Sequence, residues 1–263
     1  MSENTNPLLS GFKMPGRIFQ LPSRGILYTN GEINSTISEA EVHVKPLSAY
    51  DEITLKNPDM LFSGKALEQV FPVCIPDIEK PLELYGKDVD AALLFLRIVT
   101  YGSSYDITVN HSCEHAKSHS YIIDLETVIQ KIKYLDPTTF EQIFNIKLDN
   151  GQVVVVQPVR YSHIMEVLKM NENKKELTVE DMKANLTVNL LNVVKSIDGI
   201  EDKKLIEEWL KVAPAPYVAK IAEAIESTND WGPDLDTSVI CKDCGEEFSF
   251  SLPINPISLF TAA

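Results

Sequence analysis

The run Val239-Ile240-Cys241-Lys242-Asp243-Cys244-Gly245-Glu246-Glu247-Phe248 constrains this chain more than any other stretch. Two thiols three positions apart reach one tetrahedral ion when the backbone folds into a tight knuckle, and Gly245 supplies the positive φ that turns the chain back. The alternation of Phe248, Phe250 and Leu252 then predicts a strand leaving the knuckle. That is half of a zinc-ribbon site, and half a site holds no metal. Only one other region is rich enough to complete it: Asn110-His111-Ser112-Cys113-Glu114-His115-Ala116-Lys117-Ser118-His119-Ser120-Tyr121, which holds three of the five histidines and a cysteine.

The two regions share a shape. An alternating run enters each (Tyr105, Ile107, Val109 in one, Ser238 and Ile240 in the other), ligand-type residues follow, and a second alternating run leaves. Two β-knuckles about 130 residues apart are therefore expected to face each other across one Zn²⁺, with the intervening residues as an insertion held at its ends. Closing so long a loop costs entropy that grows only slowly with length, and a structural zinc site, worth on the order of 10 kcal/mol, offsets it. The expected ligands are Cys113, His115, Cys241 and Cys244. On a wide loop His119 would serve in place of His115, and His111 stands behind both. A redox pair is disfavoured, because a redox Cys-x-x-Cys opens a helix after a strand and this one precedes a strand.

With 263 residues, 44% of them hydrophobic, the chain can bury a proper core. It has no apolar run of the roughly 18 residues a membrane helix needs, and its polar start does not read as a secretory leader. Four cysteines suit a reducing cytoplasm, Cys74 being read as a small buried hydrophobe between Val73 and Ile75. The net charge of −14, without a Lys/Arg cluster, argues against a nucleic-acid partner. A zinc-ribbon module bound to nucleic acid or to the transcription machinery is the alternative that this charge disfavours.

In chain order, residues 1–17 read as a flexible arm. Leu21-Pro22-Ser23-Arg24-Gly25-Ile26-Leu27-Tyr28 is a shaped loop, Glu41 to Leu47 a strand with His43 on its surface, and Ser48 a helix cap for Asp51. Residues 88–102 predict a buried helix stopped by Gly102, on which Arg97 should pair with a carboxylate. Asp149-Asn150-Gly151 predicts a hairpin whose four valines, Val153 to Val156, need cover. Helices are expected from Ser162 to Met170, Thr178 to Ser196, Asp202 to Val212 and Tyr217 to Ser227, with His163 capping the first or lying on its surface. The fold class expected is α+β: a small β-rich part with a zinc-ribbon-like pair of knuckles and a helical region between them. The division expected is 1–17, 18–160, 161–230 and 231–263. The apolar end, Ile254 to Phe260, either packs back on the first region or inserts into a neighbour; it and the 21–28 loop are the stretches expected to make contacts.

Leu21 to Tyr28, then Lys45-Pro46-Leu47-Ser48-Ala49-Tyr50-Asp51-Glu52, then Asp90, Leu94, Phe95, Arg97, Tyr101 and Gly102 in order, then a metal-type cluster, resembles the baseplate hub assembly proteins of T4-like contractile-tailed bacteriophages. The resemblance runs from about residue 20 to 125 and returns from Cys241 to Phe260. It implies a tail baseplate (hub) structural or assembly protein that acts through contacts with other phage baseplate and hub proteins and leaves room for a homo-oligomer. Its place would be the host cytoplasm during assembly and the virion baseplate if retained. In that family the first half-site tends to be a cysteine pair, where this chain has Cys113 with histidines.

No Gly-rich phosphate loop, Gly-x-Ser-x-Gly or His-Glu-x-x-His is present. Two or three cysteines suggest a closed structural site rather than a catalytic one, which keeps a position open. The chain is not expected to be an enzyme.

Overall fold

Strand β1 (Arg17–Gln20) runs antiparallel to β2 (Glu41–Val44), with Phe19 opposite Val42. The computed structural model describes residues 15–26, 28–34, 39–113, 118–138, 144–172, 174, 176–227, 230–254 and 256–260. The expected arm over 1–17 thus lies almost wholly outside the described residues. Three short helices follow, α1 (Ala49–Lys56), α2 (Pro58–Ser63) and α3 (Lys65–Cys74). Ser48 and Asp51 cap α1 reciprocally, so the two orphan amides at its start are satisfied.

Helix α4 (Gly86–Tyr101) is the centre of the larger core, which explains why its sequence is apolar almost all round. Val89, Leu93, Leu94, Phe95, Leu96 and Ile98 are buried in it, and the ring of Phe19 stacks flat on Phe95 at 4.3 Å. Gly102, at φ 80°, ends the helix. Arg97 departs from expectation. Its guanidinium donates to the carbonyls of Gly102 (3.1 Å) and Ser104 (3.0 Å) and lies over the rings of Tyr101 and Tyr105. A helix C-terminus concentrates unpaired carbonyls and negative potential, which holds the cation there, with Asp106 acting on it only through space.

The N-terminal end of α4 carries a buried polar node that fixes the 21–28 loop. Asp88 is fully buried and accepts the backbone N–H of Ser23 (2.9 Å) and the phenol of Tyr28 (2.6 Å). Leu21 and Ser23 are themselves fully buried. The start of the loop is thus anchored in its own core, Arg24 is exposed, and Leu27 lies outside the described residues.

Hairpin β3 (Ser104–Asn110) and β4 (Ser118–Asp124) follows α4, then α5 (Leu125–Gln130). A second core lies beyond it. Strands β5 (Asn145–Lys147), β6 (Val153–Val156) and β7 (Val194–Ile197) form one antiparallel sheet. Helices α6 (Tyr161–Asn171) and α7 (Val179–Val193) come between β6 and β7, and α8 (Lys203–Val212) and α9 (Ala215–Ser227) come after it. The four-valine strand is central, with Val154 and Val156 packed beside Leu190, Ile206, Leu210 and Ile221. This overturns the helix expected to run to Ser196. Residues 194–197 leave it to pair with β6, where the β-branched Val194 and Ile197 are buried in the sheet.

The chain returns to the first core through β8 (Asp236–Ile240), β9 (Glu247–Ser251) and α10 (Pro256–Leu259). Leu252, Leu259 and Phe260 are buried there, so these apolar end residues serve their own core. The architecture is α+β, with helices and small antiparallel sheets.

Candidate metal centre

The hairpins β3–β4 and β8–β9 meet at their turn ends. The inward face of the first carries Ile107 opposite Tyr121 and Val109 opposite His119, and that of the second carries Val239 opposite Phe248. Period-two alternation puts these side chains on one face of each ribbon, and the aromatic rings interlock: Tyr121 meets Phe248 edge-on at 6.1 Å, and His111 stacks on Phe248 at 4.6 Å.

Above this contact, His111 and Cys113 from the first hairpin and Cys241 and Cys244 from the second converge. Their donor atoms all lie within 4.8 Å of one another, the Cys244 Sγ and His111 Nδ1 being 3.4 Å apart. A tetrahedral ion with bonds of about 2.0–2.3 Å has edges of roughly 3.3–3.8 Å, so the group needs only small adjustments to close on one. Cys241 is buried, His111 and Cys113 are half-buried and Cys244 is exposed, so the site is open to solvent on one side.

The C-terminal knuckle is built by its backbone. Gly245 at φ 77° lets its N–H return to the carbonyl of Cys241 at 3.0 Å, and the Cys241 N–H donates to Glu246. The backbone N–H groups of Cys244 and Asp243, aimed at the Cys241 sulfur and helped by His111, pull that thiol down to about 6. Cys244 shifts the other way. The Glu246 N–H lowers it, but lost hydration and the neighbouring Cys241 and Cys113 sulfurs together outweigh that. The two sulfurs of the Cys-x-x-Cys pair are thus pushed in opposite directions, and a bound cation would favour the thiolate form of both.

Of the residues singled out in the sequence, Cys113, Cys241 and Cys244 come together, and His115 lies outside the described residues. Among the described residues, His111, ranked last among the three histidines, is the histidine at the cluster. His119 is engaged elsewhere, its Nε2 2.7 Å from the Asp243 carboxylate. The useful signal was the hairpin register. His119 lies opposite Val109, within the paired strands, whereas His111 stands just past the last pair, where the chain is free to turn toward the opposite knuckle. His43 is exposed on β2, 3.4 Å from Asp77. His163 does neither of the things expected of it: it is half-buried in the first turn of α6, its Nδ1 has no partner among the described residues, and burial lowers its pKa.

The chain matches the family model of the T4 bacteriophage base plate protein over residues 32–260, a range that includes the four clustered residues and most of both cores. It belongs to that family. Neither a curated protein nor a solved structure matches it. Membership supports a structural role in a phage baseplate, with other baseplate proteins as the kind of partner and the virion tail as the place. It speaks for a structural part rather than for an enzyme. Among the described residues of this base plate protein, no helix is long and apolar enough to cross a membrane.

Proposed function

We propose that this base plate protein is a hub component or hub assembly factor whose two distant knuckles are clasped by one structural Zn²⁺ held by His111, Cys113, Cys241 and Cys244. The observation that carries the metal is the convergence of three sulfurs and one imidazole nitrogen from two hairpins. Three thiolates and an imidazole form a soft, four-fold set that suits Zn²⁺ and leaves no position for substrate. What the ion supplies is closure: it ties the segment after β3 to the segment after β8, and so holds the second core between two fixed ends. The hub assignment rests on the order of sequence elements shared with hub assembly proteins. It places the chain in the host cytoplasm during assembly and, if retained, in the baseplate.

Elemental analysis of the purified chain tests the metal. The expected result is about one zinc per chain, lost in Cys113→Ser and in Cys241→Ser together with thermal stability, and a large drop in Tm on adding a chelator. Metal-free protein of unchanged stability would overturn it. For the hub, tails made without the chain should lack the central hub; tails complete in their hub would refute that part.

A further inference from the structure

We propose that Lys242 and Asp243, the two residues between the cysteines of the C-terminal knuckle, are positioning residues: they latch this knuckle onto strand β4 and bring the four donor atoms together. The inference rests on the metal reading and adds to it residues that touch no metal.

A Cys-x-x-Cys spacer needs only to be short and polar. Here both spacer residues reach across the fold to three consecutive residues of β4. The Asp243 carboxylate meets the His119 Nε2 at 2.7 Å. The Lys242 ammonium donates to the carbonyl of Ser120 at 2.5 Å and sits 4.9 Å above the ring of Tyr121, while the Lys242 backbone N–H donates to the Tyr121 hydroxyl at 3.3 Å. These contacts join residues more than 120 apart in sequence. The His119 and Asp243 side chains are only 23% and 19% exposed, so water screens their contact less than it would an open surface pair.

The latch has two consequences. It occupies the Nε2 of His119, a potential donor that stands outside the cluster, and so separates a positioning histidine from the histidine at the metal site. It also performs by hydrogen bonding part of the loop closure, beside the Tyr121–Phe248 contact and the buried end of the chain. Groups that orient ligands without touching the ion commonly change metal affinity by about 10–100-fold.

The test is Co²⁺ binding to the full chain, followed by thiolate charge-transfer and d–d absorption in competition with a chelator. Asp243→Ala and His119→Gln should each weaken Co²⁺ binding by about 10–100-fold with band positions unchanged, since the donor set is intact. The double variant should be no weaker than the weaker single, and Asp243→Glu should recover part of the loss. Should Asp243→Ala not fold, Lys242→Met reads the same latch through the Ser120 contact. Unaltered affinity in Asp243→Ala and Lys242→Met would overturn the latch, as would a changed d–d spectrum in His119→Gln, which would make His119 a ligand. An unaltered chain that shows no cobalt spectrum at all would overturn the metal reading, and the latch with it.

Discussion

The phenol of Tyr28 donates to Oδ2 of Asp88 at 2.6 Å while its oxygen accepts the backbone N–H of Tyr85 at 2.8 Å. One hydroxyl thus ties the end of the 21–28 loop to the N-terminal end of α4, where its ring also stacks on Tyr85 at 4.8 Å. Tyr28→Phe keeps the stack and removes both hydrogen bonds, leaving a buried carboxylate and a buried amide short of a partner. The expected cost is about 2–4 kcal/mol in chemical denaturation, since a bond to a charged group is worth roughly 1.5–3 kcal/mol and an orphaned amide adds to it. A change below about 0.5 kcal/mol would show that water replaces the hydroxyl.

A second buried pair links the two cores. Arg160 Nη1 lies 3.0 Å from Oε1 of Glu32 and donates to the carbonyl of Glu83 at 2.6 Å, and the Glu32 side chain is 1% exposed. Arg160→Met strands the Glu32 charge and should cost about 3–5 kcal/mol, whereas adding Glu32→Gln should recover a large part of it. Urea unfolding of the three variants checks this. A double variant as unstable as the single would mean that Arg160 acts through its Glu83 contact instead.

These two nodes show where sequence reading reached its limit. The Cys-x-x-Cys-Gly knuckle, the Ser48–Asp51 cap, the Asn150-Gly151 turn and the apolar α4 were legible because each is a local pattern with a local cause. The partners of Asp88, Glu32 and Arg160 lie 60 to 128 residues away, and no spacing rule connects them. The strand at 194–197 was hidden for a similar reason. Its residues continue a helical stripe, and only the open edge of the four-valine strand gives them a better place. At the site, the cysteines were legible from their chemistry. The choice among histidines depended on where the β3–β4 pairing stops, a tertiary fact.

Asp90 gives a pH prediction. Burial pushes its carboxyl up to about 6, against only a modest lowering by Lys87. A folded value above the unfolded one means that the native state binds the proton more tightly. The resulting stabilisation is complete below pH 4 and lost as pH rises through about 6. Asp90→Asn removes the charge that is unfavourable at neutral pH. It should stabilise the chain by roughly 1–3 kcal/mol at pH 7 and by little at pH 4, flattening the fall in unfolding free energy between them. A gain independent of pH would mean that the amide improves packing rather than relieving a buried charge.

Gly245 isolates the backbone's share in the metal centre. It holds φ 77°, and a Cβ built there meets nothing within 4 Å, so Gly245→Ala adds conformational strain without a clash. An L-residue in that left-handed region costs about 1–2 kcal/mol, and asparagine tolerates it better. That strain falls on a knuckle whose N–H groups face the Cys241 sulfur, and the knuckle has to be formed for both of its thiolates to reach one ion. Gly245→Ala should therefore weaken Zn²⁺ binding about tenfold, the equivalent of roughly 1.4 kcal/mol, and Gly245→Asn should weaken it less. Chelator competition on the two variants decides it. Equal affinity in both would mean that the ion binds without the tight turn, and that the convergence of the four donors does not depend on the knuckle's geometry.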